Sequence, residues 1–274
     1  MTGKIALLGV RQVFEVRGDN DRRLREFVAL QDLDLEVSDG ELLTLVGPSG
    51  CGKSTVLDLI SGLSTPTGGS VLVDGEPVTG PGLDRGVVFQ QYTLLPWRTA
   101  LGNIEFALEA LGGLSRAERR RRGRSYLELV GLADFAGSYP HELSGGMKQR
   151  VAIARSLSYE PEVLLMDEPF GALDAQTRER LQEELVQIWR RTGTTIVFIT
   201  HDIDEAVFLG QRVAVMTTRP GRVETTLDIV LNRSSSEEDV RSTPEFARYR
   251  HQIWTLLRHP GAPSAQLEEV HRVA

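Results

Sequence analysis

Several features common in other classes of protein are missing from this sequence. It has a single cysteine among 274 residues, which excludes an internal disulfide and is typical of a reducing compartment. No basic start followed by an apolar run marks a signal peptide, and no stretch approaches the ~20 apolar residues that a membrane-spanning helix needs. If the protein works at a membrane, we therefore expect another chain to supply the spanning segments.

The chain also lacks an excess of positive charge. Its formal net charge is −7, which makes nucleic acid a poor partner. Hydrophobic residues make up 41% and charged residues 25%, which is ordinary for a globular chain with a proper core. The length allows one large domain or two small ones.

A glycine-rich loop at residues 47–55 reads Gly-Pro-Ser-Gly-Cys-Gly-Lys-Ser-Thr. It follows the apolar, strand-type run 42–46 and precedes apolar residues at helical spacing over 55–60, which is the context of a phosphate cradle. Glycines let backbone N–H groups point at phosphates, Lys53 brings a charge to the β- and γ-phosphates, and the Ser54 hydroxyl suits Mg²⁺. The predicted nucleotide ligands are Gly47, Ser49, Gly50, Cys51, Gly52, Lys53, Ser54 and Thr55. We also expect alkylating agents to reach the cysteine thiol in this loop unless nucleotide covers it.

A second anion-binding segment is predicted at residues 143–150, which read Leu-Ser-Gly-Gly-Met-Lys-Gln-Arg and lead into the helical run 151–157. A serine and two glycines at a helix start offer free N–H groups, a hydroxyl and the helix dipole. By itself such a turn is weak evidence for anion binding. It is strong evidence in a chain that already has a phosphate-binding loop (P-loop) at residues 47–55.

Two carboxylates follow the apolar run 163–166, which is typical of a buried parallel strand. Ligands bind at the carboxyl ends of such strands. Asp167 is therefore placed to hold Mg²⁺, directly or through water, and Glu168 is the candidate general base towards an attacking water.

Three further residues have both a structural and a functional interpretation. Phe14 either packs as an edge aromatic or stacks on a purine base. Gln90 is either an ordinary polar residue at a strand end or a ligand of Mg²⁺ or of the attacking water. His201 ends the apolar run 194–200, and for it we favour contact with the γ-phosphate over a structural role.

The remaining patterns predict an α/β fold. Residues 1–46 and 67–90 are mainly strands, including the separate runs 27–30 and 33–37 and a polar turn at 17–20. Residues 91–157 are a helical insertion, in which Ser115 opens a capping box before an arginine-rich helix. That helix presents either a solvated face, which we favour, or a contact with anionic lipid or a partner. Residues 230–274 form a loosely packed tail with a helix from Pro244 to Leu257, or alternatively a small regulatory appendage.

In their order along residues 4–225, these motifs resemble the ATP-binding subunits of ABC transporters. The resemblance rests on a Walker A loop (47–55), a Q-loop glutamine (Gln90), a signature motif (143–149), a Walker B strand with its catalytic glutamate (163–168), a D-loop aspartate (Asp174) and a switch histidine (His201). Phe14 falls where the family has its adenine-stacking aromatic. Met147 departs mildly from the family, which often has glutamine there.

The resemblance implies a P-loop NTPase core with an antiparallel β subdomain and a helical insertion. It implies an ATP-binding domain over 1–229, with a helical subdomain at about 91–157 and a tail over 230–274. It also implies ATP and Mg²⁺ as cofactors. The implied catalytic residues are Glu168, His201 and Gln90, the implied metal ligands are Ser54, Gln90 and Asp167, and the implied signature contacts to nucleotide are Ser144, Gly145, Gly146 and Gln149.

The same resemblance implies a head-to-tail homodimer at the cytoplasmic face of a membrane, with an integral membrane permease and a periplasmic or lipid-anchored solute-binding protein. Residues 80–90, 94–99 and 219–223 are similar to importers for nitrate, taurine and other sulfonates. The alternative is a transporter with unrelated cargo, or an exporter. An ABC ATPase of translation or DNA repair would usually carry two such domains or a long coiled coil, and a non-hydrolysing scaffold would lack Glu168 or His201.

Overall fold

The computed structural model describes residues 3–18, 21–233 and 239–259. Within these residues the chain forms ten strands and seven α-helices. The strands are β1 (Ile5–Gly18), β2 (Asp21–Val37), β3 (Leu42–Val46), β4 (Gly68–Val73), β5 (Glu76–Pro77), β6 (Arg85–Val88), β7 (Val163–Asp167), β8 (Thr195–Thr200), β9 (Arg212–Met216) and β10 (Val223–Asp228). The helices are α1 (Lys53–Ser61), α2 (Ala100–Glu109), α3 (Arg116–Leu129), α4 (Gly145–Leu157), α5 (Ala175–Thr192), α6 (Ile203–Leu209) and α7 (Pro244–Arg258). The mixture confirms the predicted α/β fold.

The chain divides into two compact units. The first unit comprises Met1–Ser38, Leu42–Thr79 and Ile199–Ala274, and the second comprises Asp39–Glu41 and Gly80–Phe198. Strand β8 begins in the second unit, and its last two residues belong to the first.

The first unit contains an antiparallel sheet and a set of strands that carries the P-loop. The antiparallel sheet has the strand order β2-β1-β4-β5, which confirms the predicted antiparallel part of the fold. In the second set, β9 pairs antiparallel with β10 and parallel with β3. All five residues of β3 are buried, as expected for a strand covered on both faces. This strand leads directly into the P-loop.

One strand of this unit differs from the sequence prediction. The runs 27–30 and 33–37 are parts of the single strand β2 and not two separate strands. The interruption in the pattern reflects Asp32, whose φ of 48° marks an irregular backbone, and the pairing with β1 shifts register nearby, between Val10 and Gln12. Of the turn predicted at 17–20, residues 19 and 20 lie outside the described residues.

The second unit contains a parallel β-pair and the helices between residues 91 and 192. Strands β6 and β7 pair in parallel, and β8 lies next to β7. Helices α2, α3 and α4 fall within the predicted helical insertion. The capping box is confirmed, because the Glu118 N–H donates to Ser115 Oγ at 3.2 Å while the Ser115 N–H donates to Glu118 Oε2 at 3.0 Å.

The C-terminal helix was predicted at the right place but with the wrong packing. Helix α7 begins at Pro244, and it packs against α6. Phe246, Ile253 and Leu256 share one face of α7 and are buried, so its described part is not the loosely packed tail that we expected. The sequence patterns also missed α6 and β10, because α6 is only seven residues long and β10 has no strong alternation.

Candidate functional site

The P-loop connects β3 to α1 and encloses the side chain of Lys53. Its ammonium group donates to the carbonyl oxygens of Gly47 at 2.8 Å and Pro48 at 3.2 Å, and only 6% of the residue is exposed. At Gly52, φ is 101°, and an added Cβ would lie 2.6 Å from Leu30 Cδ2. Only glycine fits this position, so the loop can close tightly around the lysine.

The N-terminal end of α1 is available to an anion. The N-cap residue Gly52 has no side chain, so no side chain caps the first N–H groups of this helix. No acidic residue occupies its first turn. Ser49, Gly50 and Ser54 are exposed at this end. The helix dipole and these accessible groups suit an anion, and phosphate binding by this loop stays a prediction.

Cys51 is less accessible than the sequence indicated. The residue is only 1% exposed. Its Sγ atom packs against Gly47 so closely that a Cβ added at that glycine would lie 2.7 Å from the sulfur. Burial raises the pKa of the Cys51 thiol, although the charge of Lys53 acts in the opposite direction. The expectation that alkylating agents reach this thiol in the absence of nucleotide is therefore wrong, because the loop itself covers the sulfur.

Phe14 lies on the β1–β2 hairpin with an exposed ring. It is 38% exposed and directly opposite Phe27 in the antiparallel register. Residues opposite each other in an antiparallel pair present their side chains on the same face, so the two rings share one face of the hairpin. An exposed ring on a rigid strand can stack on a base, and this role of Phe14 stays a prediction.

His201 lies on a rigid turn between β8 and α6. The Thr200 hydroxyl donates to the Glu205 carboxylate and accepts the Asp202 N–H at 3.0 Å. The Asp202 carboxylate in turn caps α6 by accepting the N–H groups of Asp204 at 2.9 Å and Glu205 at 3.2 Å. His201 is exposed and borders a cavity of about 550 Å³ that α7 also lines. Sequence analysis missed the support that Thr200, Asp202 and Glu205 give to this turn. Their positions close to His201 in the sequence were the signal that could have indicated it.

In the second unit, Gln90 and Glu168 converge on Gly171. An added Cβ at Gly171 would lie 3.5 Å from Gln90 Nε2 and 3.9 Å from Glu168 Oε2. Glu168 also has a φ of 42°, which is uncommon for any residue other than glycine, and such strained residues cluster at functional sites. Asp167, the preceding residue, is half-buried at the end of β7.

The predicted signature segment begins α4, as expected. Ser144 is its N-cap, and the hydroxyl accepts the Met147 N–H at 3.3 Å. An added Cβ at Gly145 would lie 3.1 Å from both Tyr92 Oη and Leu173 Cδ2, and one at Gly146 would lie 2.8 Å from Thr177 Cγ2. Gly145 therefore permits close packing with Tyr92 after Gln90 and with Leu173 before α5, and Gly146 permits close packing with Thr177 in the first turn of α5.

Asp174 and Gln149 occupy contrasting environments. The Asp174 carboxylate caps α5 by accepting the Thr177 N–H at 3.0 Å, and this hydrogen bond lowers the pKa of the carboxyl. Gln149 is fully buried, and its amide oxygen and nitrogen have no hydrogen-bond partner among the described residues. Its predicted contact with nucleotide stays a prediction.

Sequence analysis missed Arg155, which anchors the loop after Gln90. Its guanidinium donates to the Thr93 carbonyl oxygen at 2.7 Å and to Thr93 Oγ1 at 3.0 Å. Thr93 has a φ of 45°, so these two bonds fix a backbone conformation that is rare for a β-branched residue. No local pattern indicates this role, because 62 positions separate the two residues.

Each unit thus gathers its own set of the predicted residues. The first unit contains Phe14, the P-loop and His201, whereas the second contains Gln90, residues 144–149, Asp167, Glu168 and Asp174. Within the described ranges, no helix has the length and apolar character that crossing a membrane requires.

Comparison with known proteins identifies relatives of this chain. The family model described as ABC transporter matches residues 30–171. A nitrate import ATP-binding protein (NrtD) of Synechocystis is 53% identical over 84% of this chain and 88% of that protein. An uncharacterised ABC transporter ATP-binding protein of Methanocaldococcus jannaschii is 49% identical over 94% of this chain and 92% of that protein. A solved dimeric structure of the ATP-binding cassette MJ0796 with ADP and Pi covers 82% of this chain and 99% of its own, with a TM-score of 0.70 and 35% identity.

Proposed function

Because the chain belongs to the ABC transporter family and is an ATPase of that family, we propose that it energises an importer for a small anion such as nitrate, taurine or another sulfonate. The observation that carries this proposal is the 53% identity to the nitrate import protein of Synechocystis, which extends over 84% of this chain. The similarity of residues 80–90, 94–99 and 219–223 to nitrate and sulfonate importers supports the same cargo class.

For the ATPase cycle, we propose that the P-loop residues 47–55 bind the phosphates of ATP and that Phe14 stacks on its adenine. Gln149 and the signature residues Ser144, Gly145 and Gly146 contact the nucleotide of a partner subunit. Support comes from the enclosed Lys53 side chain, the exposed Ser49 and Gly50, and the uncapped start of α1.

Mg²⁺ is the metal that this ATPase would use, with Ser54, Gln90 and Asp167 as its protein ligands. A hydroxyl, an amide oxygen and a carboxylate are hard oxygen donors, and Mg²⁺ in nucleotide sites takes few protein ligands together with phosphates. The metal would neutralise charge on the phosphates during transfer.

Hydrolysis is assigned to Glu168, Gln90 and His201. Glu168 takes a proton from the attacking water, and Gln90, whose amide converges with it on Gly171, orients that water. His201 contacts the γ-phosphate from a turn that is held by the Thr200 hydroxyl and by Asp202, the N-cap of α6. Asp174 supports this arrangement from the N-cap of α5.

We further propose that two copies pack head to tail with ATP between them. The solved MJ0796 cassettes are dimeric, which supports this arrangement. ATP then stabilises the closed dimer as an interfacial ligand, and loss of the γ-phosphate favours the open state.

A membrane permease is the partner that couples this cycle to transport. Three large aromatic side chains of the second unit are exposed and could pack against such a partner: Trp97 is 71%, Phe106 47% and Phe89 37% exposed. They lie on the loop after β6 and on α2, close in sequence to Gln90. The protein would therefore act at the cytoplasmic face of a membrane, together with a solute-binding protein. Residues 1–229 would form the ATP-binding domain, with its helical part at about 91–157, and residues 230–274 an appendage to it.

The test is growth of a deletion strain. We would delete the gene in its host and compare growth on nitrate as the sole nitrogen source with growth on taurine or alkanesulfonates as the sole sulfur source. Loss of growth on one source, restored by the intact gene but not by Lys53→Ala, is the expected result, because import needs ATP binding. Normal growth on every source would overturn the cargo assignment and leave the unrelated-cargo or exporter alternative.

A further inference from the structure

The loop between β9 and β10 lies against the P-loop. Its Gly221 N–H donates to the Ala29 carbonyl oxygen at 2.9 Å, and its carbonyl oxygen accepts the Gln31 N–H at 3.1 Å. An added Cβ at Gly221 would lie 2.0 Å from the carbonyl oxygen of Cys51. The backbone of this loop is therefore fixed in direct contact with the phosphate-binding loop.

Arg219, two residues earlier, extends along the same surface. A Cβ added at Gly50 would lie 3.1 Å from the Nη2 atom of Arg219. The Cζ atom of Arg219 lies 5.5 Å from the ring centroid of Phe27. This ring contact is within the range of a cation–π interaction, which orients the guanidinium. Both Arg219 and Gly50 are exposed, so a ligand from solution can reach them.

The guanidinium of Arg219 has no anionic partner among the residues that the structure describes. Among those residues, the guanidinium interacts with the Phe27 ring alone. Arg222, on the same loop, differs in this respect because its Nη2 atom pairs with Asp32 Oδ2 at 3.6 Å. Arg219 is thus an oriented cation beside a phosphate-binding loop, and its planar fork of donors matches the geometry of phosphate oxygens.

The ring that holds Arg219 is part of the predicted nucleotide surface. Phe27 lies opposite Phe14 in the β1–β2 register, and the two side chains share one face of the hairpin. Phe14 is the proposed adenine-stacking residue. Arg219 therefore contacts Phe27, the neighbour of the proposed base-stacking residue Phe14. It also lies beside the loop that would hold the phosphates.

We propose that Arg219 is a nucleotide-binding residue, whose guanidinium donates hydrogen bonds to the phosphate tail of the nucleotide at the P-loop. This inference rests on the proposed binding of ATP at residues 47–55. It adds to that surface a charged group supplied by a segment more than 160 positions away in the chain.

The test compares Arg219→Ala with Arg222→Ala, a matched control that removes an arginine from the same loop. Each purified full-length chain is titrated with the fluorescent analogues MANT-ATP and MANT-ADP, and Lys53→Ala serves as a reference for lost phosphate binding. We expect Arg219→Ala to weaken both affinities by about tenfold, since a charge-assisted hydrogen bond is removed. Added salt reduces this difference, because it screens the exposed charge. Arg222→Ala retains wild-type affinity.

Arg219→Gln keeps most of the side-chain stem without the charge and shows the same loss, so a folding defect confined to the alanine variant does not decide the result. An Arg219→Gln affinity within about twofold of wild type would overturn the proposal. Equal losses in Arg219→Ala and Arg222→Ala would also overturn it, since they would indicate a general charge effect. A wild-type chain that binds neither analogue would instead refute ATP binding itself, and with it this inference.

Discussion

At the scale of single residues, the P-loop shows how close packing changes the chemistry of a side chain. Cys51 lies between two glycines in the sequence, which indicated an accessible thiol, yet the folded loop leaves only 1% of the residue exposed. Desolvation disfavours the thiolate, and burial therefore raises the pKa of this thiol. Its thiolate fraction at neutral pH is consequently lower than that of a thiol in solution.

The native chain without nucleotide should therefore react slowly with a maleimide between pH 7 and 8. Both the low thiolate fraction and the covering loop reduce the rate, and we expect labelling at least about tenfold slower than in the unfolded chain. Mass spectrometry of timed samples measures this rate, with the same protein in denaturant as the control. Since the chain has one cysteine, the assignment of the label is unambiguous. Equally fast labelling in both states would show that the loop does not cover the thiol.

At the scale of elements, Asn103 joins a loop to a helix. Asn103 lies in α2, is fully buried, and accepts the Leu95 N–H at 2.7 Å. Its amide group also donates to the carbonyl oxygens of Leu95, Arg98 and Thr99, at 3.2, 3.1 and 3.0 Å. This one side chain fixes the loop that carries Trp97, the most exposed aromatic residue of the proposed permease surface.

Asn103→Ala should destabilise the chain by about 3 kcal/mol, because it leaves buried backbone groups without partners and creates a cavity. Urea denaturation measures the change in the free energy of unfolding. We also expect faster hydrogen exchange in residues 94–99, since the loop loses its anchor.

The control on the same helix is Glu109→Ala, which removes only an exposed carboxylate 3.8 Å from Arg98. Its effect on unfolding should stay within about 0.5 kcal/mol. An Asn103→Ala chain that is as stable as this control would show that the four hydrogen bonds contribute no net stability.

At the scale of the whole molecule, the predicted catalytic residues are distributed over two compact units of the chain. The P-loop and His201 belong to the first unit, and Glu168 with Gln90 belongs to the second. A reaction that needs all of them depends on the complete chain, and in the proposed mechanism on a second copy as well. In that proposed mechanism, Glu168 is the residue that would separate binding of ATP from its hydrolysis.

Glu168→Gln should therefore bind ATP and form dimers while hydrolysis falls by about 100-fold or more, because an amide cannot accept the proton of the attacking water. Light scattering after size-exclusion chromatography measures the mass with and without ATP, and phosphate release measures turnover. Lys53→Ala should stay monomeric in ATP.

Glu183→Gln is the matched control for charge, since this exposed carboxylate lies in α5 of the same unit. It should hydrolyse ATP at the wild-type rate. Unchanged turnover in Glu168→Gln would remove Glu168 from the role of general base, and an ATP-bound Glu168→Gln chain that stays monomeric would contradict the proposed dimer.

Much of the architecture follows from local pattern. The P-loop, the strand that ends at Asp167, the caps at Ser115 and Ser144, and most element positions were predictable from the sequence, because each depends on residues within a few positions of one another. The predicted motifs belong to this class, and they were sufficient to indicate an ATPase.

Only the tertiary structure decided the burial of Cys51, the packing of α7, the anchoring role of Arg155, and the place of Arg219 beside the P-loop. Burial depends on what covers a residue, and the residues that cover or contact these side chains are mostly remote in the chain: Arg155 and Thr93 are 62 positions apart, and Arg219 is far from Gly50. Such contacts form when distant strands pair and helices pack, so no window of neighbouring residues contains them. The sequence by itself therefore determined which chemical groups the protein has, and folding determined which of them face a ligand.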